Sequence, residues 1–293
     1  MSPTPFLGAL PQDFTGPQSP AAAILPVPYD ETSTWMKGAD RGPAAILEAS
    51  AQVELYDIET GSEPFRRGIA TLPALAFKGP PEELAEKVEA EVASIFTRGQ
   101  VPVILGGEHS VTIGAVRAAA QRFERLTVLQ IDAHGDTREE YEGSACNHAC
   151  VMARARQWAE IVQVGIRAID AAEAAKLAPG RVFFAHDVLN ADAAGTDWMK
   201  DVVKVLSDHI YLTIDVDGFD PGFFPATGTP EPGGLSWRQV NELVKRVARH
   251  KTIVGFDVVE LLPTPGLHHC QFTAAKLVYR ILAEIFANQA GEP

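Results

Sequence analysis

Apolar residues in this chain fall into short continuous runs: "AAILPV" (22–27), "VPVIL" (101–105), "LTVLQI" (126–131), "IVQVGI" (161–166), "RVFFAH" (181–186), "IYLTID" (210–215) and "TIVGFDVV" (252–259). Runs of this length without polar alternation predict strands covered on both faces. Between them the period lengthens to that of a helix. In "PPEELAEKVEAEVASIFTRG", Leu84, Val88, Val92 and Ile95 form one stripe, Pro81 suits a first helical turn and Gly99 a C-terminal cap. In "SWRQVNELVKRVARH", Val240, Leu243, Val244 and Val247 share a face, and Ser236 with Gln239 has capping-box spacing.

Strands alternating with helices predict an α/β fold, a mainly parallel sheet with helices on both faces. No internal repeat or linker divides the chain, so residues 21–293 read as one domain. Residues 1–20, rich in Pro, Gly and Gln, read as an arm lying on the surface or on a neighbouring subunit. The segment "GFDPGFFPATGTPEPGG" (218–234) is too rich in Gly and Pro for regular structure, and a loop of that length in a compact domain is often functional.

Parallel α/β sheets bind ligands beyond the carboxyl ends of their strands. Four predicted strand ends carry unusual chemistry here: "GGEHS", "DAHGD", "DVD" and "DVVE". Side chains alternate along extended backbone, so Asp132, His134 and Asp136 can converge while Ala133 and Gly135 face away, and Asp215 and Asp217 can do the same. Buried charges cost several kcal/mol each unless they are paired or bind metal. With His109 the set holds two imidazoles and four carboxylates, which suits two ions sharing bridging carboxylates. Four negative charges against two divalent cations leave a near-neutral centre able to lower the pKa of water. Oxygen-rich ligation with some imidazole suits manganese among the divalent metals.

Composition narrows the context. The balance of 25 basic against 38 acidic residues, a net charge of −13, argues against nucleic acid and anionic membranes and favours a cationic partner. No apolar run reaches the roughly eighteen residues of a membrane span, and the first residues carry no leader pattern, so a cytoplasmic location is expected. Cys146, Cys150 and Cys270 are too few and too scattered for a disulfide framework or a tetrahedral zinc site, and read as buried thiols. The four tryptophans, Trp35, Trp158, Trp198 and Trp237, are expected in the core.

The motifs "GGEHS", "IDAHGD", "DVDGFDP" with "ATGTPEPGGL", and "GFDVVEL" resemble, in order and spacing, those of the ureohydrolases, the arginase and agmatinase family. The upstream "PVPYDETSTWMKGADRGPAAILEAS" resembles the agmatinase branch, and the likeness spans roughly residues 22 to 285. It implies a three-layer α/β/α sandwich around about eight mainly parallel strands, and two Mn²⁺ per subunit. His109, Asp132, Asp136 and Asp215 would hold one ion, and His134, Asp132, Asp215 and Asp217 the other.

The same resemblance makes His148 in "CNHAC" a proton shuttle, although many members read His-Gly where this chain has His148 and Ala149. Glu260 would contact the substrate guanidinium, and Asp136 would take a proton. The implied reaction is hydrolysis of agmatine to putrescine and urea. The alternatives are N1-aminopropylagmatine giving spermidine and urea, another guanidino substrate such as guanidinobutyrate, or a polyamine-binding protein without turnover. A homotrimer or hexamer is the implied assembly. In "TREEYEGSACN", Glu139, Glu140 and Glu142 stand against a single Arg138, which suits recognition of a cationic tail, with Glu139 and Glu140 as the contacts.

Overall fold

The computed structural model describes residues 4–289; residues 1–3 of the expected arm and 290–293 of the expected domain lie outside them. Eight strands form one sheet: β1 (Ala22–Val27), β2 (Ile69–Thr71), β3 (Val101–Gly106), β4 (Leu126–Ile131), β5 (Glu160–Ile166), β6 (Val182–Phe184), β7 (His209–Asp215) and β8 (Thr252–Val259). Their order across the sheet is β2-β1-β3-β8-β7-β4-β5-β6, and every neighbouring pair is parallel.

Among the described residues nine α-helices flank them: α1 (Gly42–Ser50), α2 (Pro81–Thr97), α3 (Thr112–Arg122), α4 (Val151–Ala155), α5 (Ala171–Ala174), α6 (Ala185–Ala193), α7 (Trp198–Val205), α8 (Trp237–His250) and α9 (His268–Gln289). Two apolar clusters lie on opposite faces of the sheet. In β1, Ala22 and Ile24 face the cluster that holds α1, α7, α8 and α9, whereas Ala23, Leu25 and Val27 face α2, α3 and α4. Both faces of a strand are therefore dry, which is why its sequence shows no polar alternation. The three layers of an α/β/α sandwich follow directly.

Six of the seven apolar runs are strands within a residue of their expected ends. The run 181–186 is trimmed to β6, because Phe184 caps α6 and His186 already lies in that helix. β2 was not expected: three residues at a sheet edge, paired only with β1, leave too short a pattern to read. The α2 stripe is buried as expected, and the capping box of α8 is formed in both directions between Ser236 and Gln239. Phe6 and Leu7 of the arm are buried against the chain's own core, where their amides donate to Thr71 Oγ1 and Ser50 Oγ at 2.8 Å each.

Candidate metal centre

The carboxyl ends of β1, β3, β4, β7 and β8 feed one cavity of about 360 Å³. Five of the six expected ligands line it, and the sixth, Asp132, lies fully buried beneath them. His109 follows β3, and its Nδ1 lies 3.2 Å from Asp132 Oδ2, 2.9 Å from Asp136 Oδ2 and 3.6 Å from Asp215 Oδ2. His134 Nδ1 lies 3.0 Å from Asp217 Oδ2 and 3.7 Å from Asp132 Oδ1. Two groups of potential ligand atoms, His109 with Asp132 and Asp136, and Asp132 with His134 and Asp217, each fall within 4.8 Å of one another. Asp132 belongs to both.

The segment 132–136 does not reach this arrangement by simple alternation. β4 ends at Ile131, and Asp136 takes a left-handed backbone (φ 50°) that turns its carboxylate towards His109. Its carbonyl is pinned by the amides of Met152 and Ala153 at 2.9 and 3.3 Å. Asp132 is held by the side-chain amide of Gln130 at 2.7 Å, and Gln130 in turn accepts from Gln163 Nε2 at 2.6 Å.

A chain of hydrogen bonds fixes the tautomer of His109. Thr213 Oγ1 donates to Asp257 Oδ1 at 2.6 Å, so its oxygen accepts from His109 Nε2 at 2.8 Å. Asp257 also accepts from Tyr211 and Thr112, at 2.9 Å each. With its hydrogen on Nε2, the neutral ring turns the Nδ1 lone pair to three carboxylates; without metal, burial lowers the imidazole pKa but Asp132 and Asp136 outweigh it and hold it well above its usual value, so a proton on Nδ1 takes the place of a metal cation. Acceptors facing acceptors at these distances need a cation between them. The donor set therefore fits a divalent metal, and its oxygen-rich character fits the harder ions.

Electrostatics agree. Burial, with Asp217 and Asp136 close by, pushes the Asp132 carboxyl up to about 7. Burial and the same crowding hold Asp215 well above the usual carboxylate range. For His134, burial acts downward, but Asp217, Asp132 and Asp136 outweigh it and raise the imidazole to about 10. Without metal, protons compensate the crowded carboxylates.

Glu260 directly follows β8 in a left-handed conformation (φ 63°), with its amide on Gly107 O at 2.7 Å and its Oε1 accepting from the His109 amide at 2.8 Å. Burial, then the neighbouring Glu108 carboxylate, hold its pKa well above the ordinary value. Among the described residues no Arg or Lys pairs with Glu260. His148 lies across the cavity at the start of a single 3-10 turn capped by Asn147, whose Oδ1 accepts from Ala149 N at 3.0 Å. Burial lowers its pKa.

Glu139 and Glu140, expected at the substrate tail, are not among the residues lining the cavity. Three cations occupy Glu139 instead: Arg154 at 2.6 Å, Arg156, and Lys176 at 3.8 Å. The acidic rim comes from Asp170 and Glu173 beyond β5 and from Glu231 in the 218–234 loop. Arg138 also lines it, 3.4 Å from both Asp170 and Glu173. The strand-end rule applied to "IVQVGI" would have flagged the first two; Glu231 lay in the loop already suspected. Trp35 lines the mouth at 75% exposure rather than entering the core, and Trp198 alone of the four tryptophans is fully buried. Cys150 and Cys270 are buried free thiols, and Cys146 is half-buried.

Known proteins resemble this chain over most of its length. Residues 20–283 match the model of the arginase family. N(1)-aminopropylagmatine ureohydrolase of Synechocystis sp. is 39% identical over 273 residues, covering 89% of this chain and 88% of that protein. Agmatinase of Pyrococcus horikoshii is 33% identical over 272 residues, covering 88% and 90%. The crystal structure of agmatine ureohydrolase of Thermoplasma volcanium superposes with a TM-score of 0.84 at 31% identity, covering 94% of this chain and 93% of that one.

Proposed function

The chain belongs to the arginase family, and on that premise we propose that it hydrolyses the guanidino group of a cationic alkylguanidine, releasing urea and an amine. The observation that carries this reading is the placement of a half-buried carboxyl group, Glu260, with no Arg or Lys partner among the described residues, beside two overlapping His/Asp ligand groups in one cavity. A guanidinium would supply the missing positive charge.

His109, Asp132, Asp136 and Asp215 would hold one ion and His134, Asp132, Asp215 and Asp217 the other. Manganese is our assignment because the set is rich in oxygen with one imidazole per site. Bound there, the pair would supply water deprotonated at neutral pH for attack on the guanidinium carbon. Glu260 would orient that carbon by accepting N–H bonds from the guanidinium, a positioning role. Asp136 would accept the proton released by the water. His148 would donate a proton to the departing amine nitrogen, which is a poor leaving group until protonated.

The tail is read from the rim. The cavity lining holds seven carboxylates against one cation, Arg138, so a second positive charge on the substrate is favoured and a carboxylate is not. Trp35 offers an aromatic face at the mouth, where a cation is attracted at small cost. Agmatine and N1-aminopropylagmatine both fit. The more similar of the two curated relatives bears the longer substrate's name, which favours N1-aminopropylagmatine.

Urea release after loading with Mn²⁺, measured in parallel on N1-aminopropylagmatine, agmatine, arginine, guanidinobutyrate and free guanidine, tests the reading. Preference for either of the first two is expected. No urea from any of them, with metal bound, would sink it.

A further inference from the structure

Behind His148 lies a buried carboxylate that the reaction itself does not use. Glu108 is fully buried, and no Arg or Lys pairs with it among the described residues. Its charge is met by hydrogen bonds alone. Oε2 accepts from the Thr32 amide at 2.8 Å and from Ser33 Oγ at 3.4 Å, and Oε1 accepts from Ser110 Oγ at 2.6 Å. Thr32 Oγ1 stands 2.7 and 2.8 Å from the two carboxylate oxygens. The same Oγ1 is 3.2 Å from His148 Nδ1 and accepts from the His148 amide at 3.1 Å.

A threonine hydroxyl has one hydrogen. Here it faces a carboxylate at short range, and charge-assisted bonds of this kind are about twice as strong as neutral ones. What remains towards His148 is oxygen lone pairs. An imidazole nitrogen at hydrogen-bond distance from a lone pair must carry a hydrogen.

We propose that Glu108 and Thr32 are positioning residues that fix the tautomer of His148, holding its hydrogen on Nδ1 and leaving Nε2 as the atom that exchanges protons. The two bonds between Thr32 and the start of the 148–150 turn also fix where the ring stands. The segment after β1 thereby reaches across the sheet edge to orient a group on the loop after β4. In this proposal, which rests on His148 acting as the proton donor, the relay keeps one nitrogen free for the departing amine in every cycle. No proton crosses the relay itself.

The test is a tautomer measurement with a kinetic counterpart. Full-length protein labelled with ¹⁵N-histidine, chelated so that no paramagnetic ion broadens the signals, is compared by long-range ¹⁵N–¹H correlation with His148→Gln to assign the ring. The expected result for neutral His148 is the Nδ1–H form, retained in Thr32→Ser and lost in Thr32→Val. In the metal-loaded enzyme, Thr32→Val should lower kcat by about tenfold or more at unchanged KM, a part of the ~10²–10⁴ that a general acid contributes. Thr32→Ser should recover most of it. An Nε2–H tautomer in the wild type, or Thr32→Val with wild-type kcat, would overturn the relay. So would a fall in kcat without a change of tautomer. If the wild type released no urea, the hydrolase reading would fail, and the spectra would still decide the relay on their own.

Discussion

Asp136 and Glu260 both carry chemistry on a left-handed backbone, with φ of 50° and 63°. For residues other than glycine that conformation costs about 1–2 kcal/mol. It persists because the surroundings fix it: amides of Met152 and Ala153 hold the Asp136 carbonyl, and Gly107 O holds the Glu260 amide. Glu260→Gln preserves shape and backbone while removing the charge that would meet a guanidinium. A hydrogen bond to a charged group contributes about 1.5–3 kcal/mol, so kcat/KM should fall roughly 10- to 100-fold with metal content unchanged. Steady-state kinetics with metal analysis check this; loss of metal would make Glu260 structural. At this scale the ligands were legible because Asp and His at strand ends have few other uses. The rim was not. A glutamate's partner is set by what folds against it, and Glu139 met Arg154 and Arg156 from the following helix region instead of solvent or substrate.

Elements were legible where burial imposes a period. Strands dry on both faces and the α2 and α8 stripes stand out in sequence, whereas β2 and the ends of β6 are edge features with little pattern. One contact between elements had no sequence signal: Arg280 of α9 reaches back to Asp57, both buried, and also bonds Glu284 at 2.6 Å. Burial alone would raise the Asp57 carboxyl, but hydrogen bonds from Arg280 and Thr60 outweigh it and hold it below the usual value. A carboxylate with a depressed folded pKa stabilises the protein above its unfolded pKa of about 3.9, and that stability is lost as pH falls through the folded value. Asp57→Asn should therefore cost about 3 kcal/mol at neutral pH, the lower end for a broken buried pair because Glu284 remains. The gap from wild type should close below about pH 4. Thermal melts across pH check both; a pH-independent gap would contradict the pairing.

At the scale of the molecule, metal binding and folding share one centre. Four carboxylates crowd together there, so chelated protein should melt lower than loaded protein. Mn²⁺ at a hundred times its Kd should add about 2.7 kcal/mol, roughly 4–5 °C in midpoint for a domain of this size. A midpoint that did not move with manganese concentration would argue against a site in the native state.

None of the described helices is long and apolar enough to cross a membrane.

The strand order has a temporal consequence. β2, β1 and β3 can pair as soon as residues 22–106 leave the ribosome, and β4 to β7 as soon as 126–215 do, but no ladder joins the two groups except β8 at 252–259. Synthesis must therefore run nearly to its end before the half bearing His109 is locked to the half bearing the aspartates. Chains stalled before Thr252 should be cleaved readily by protease between the halves, and chains that have exposed β8 should resist. The last strand made is the keystone of the sheet, and until it arrives the cell holds two half-sheets with unpaired edges, the state most in need of a chaperone.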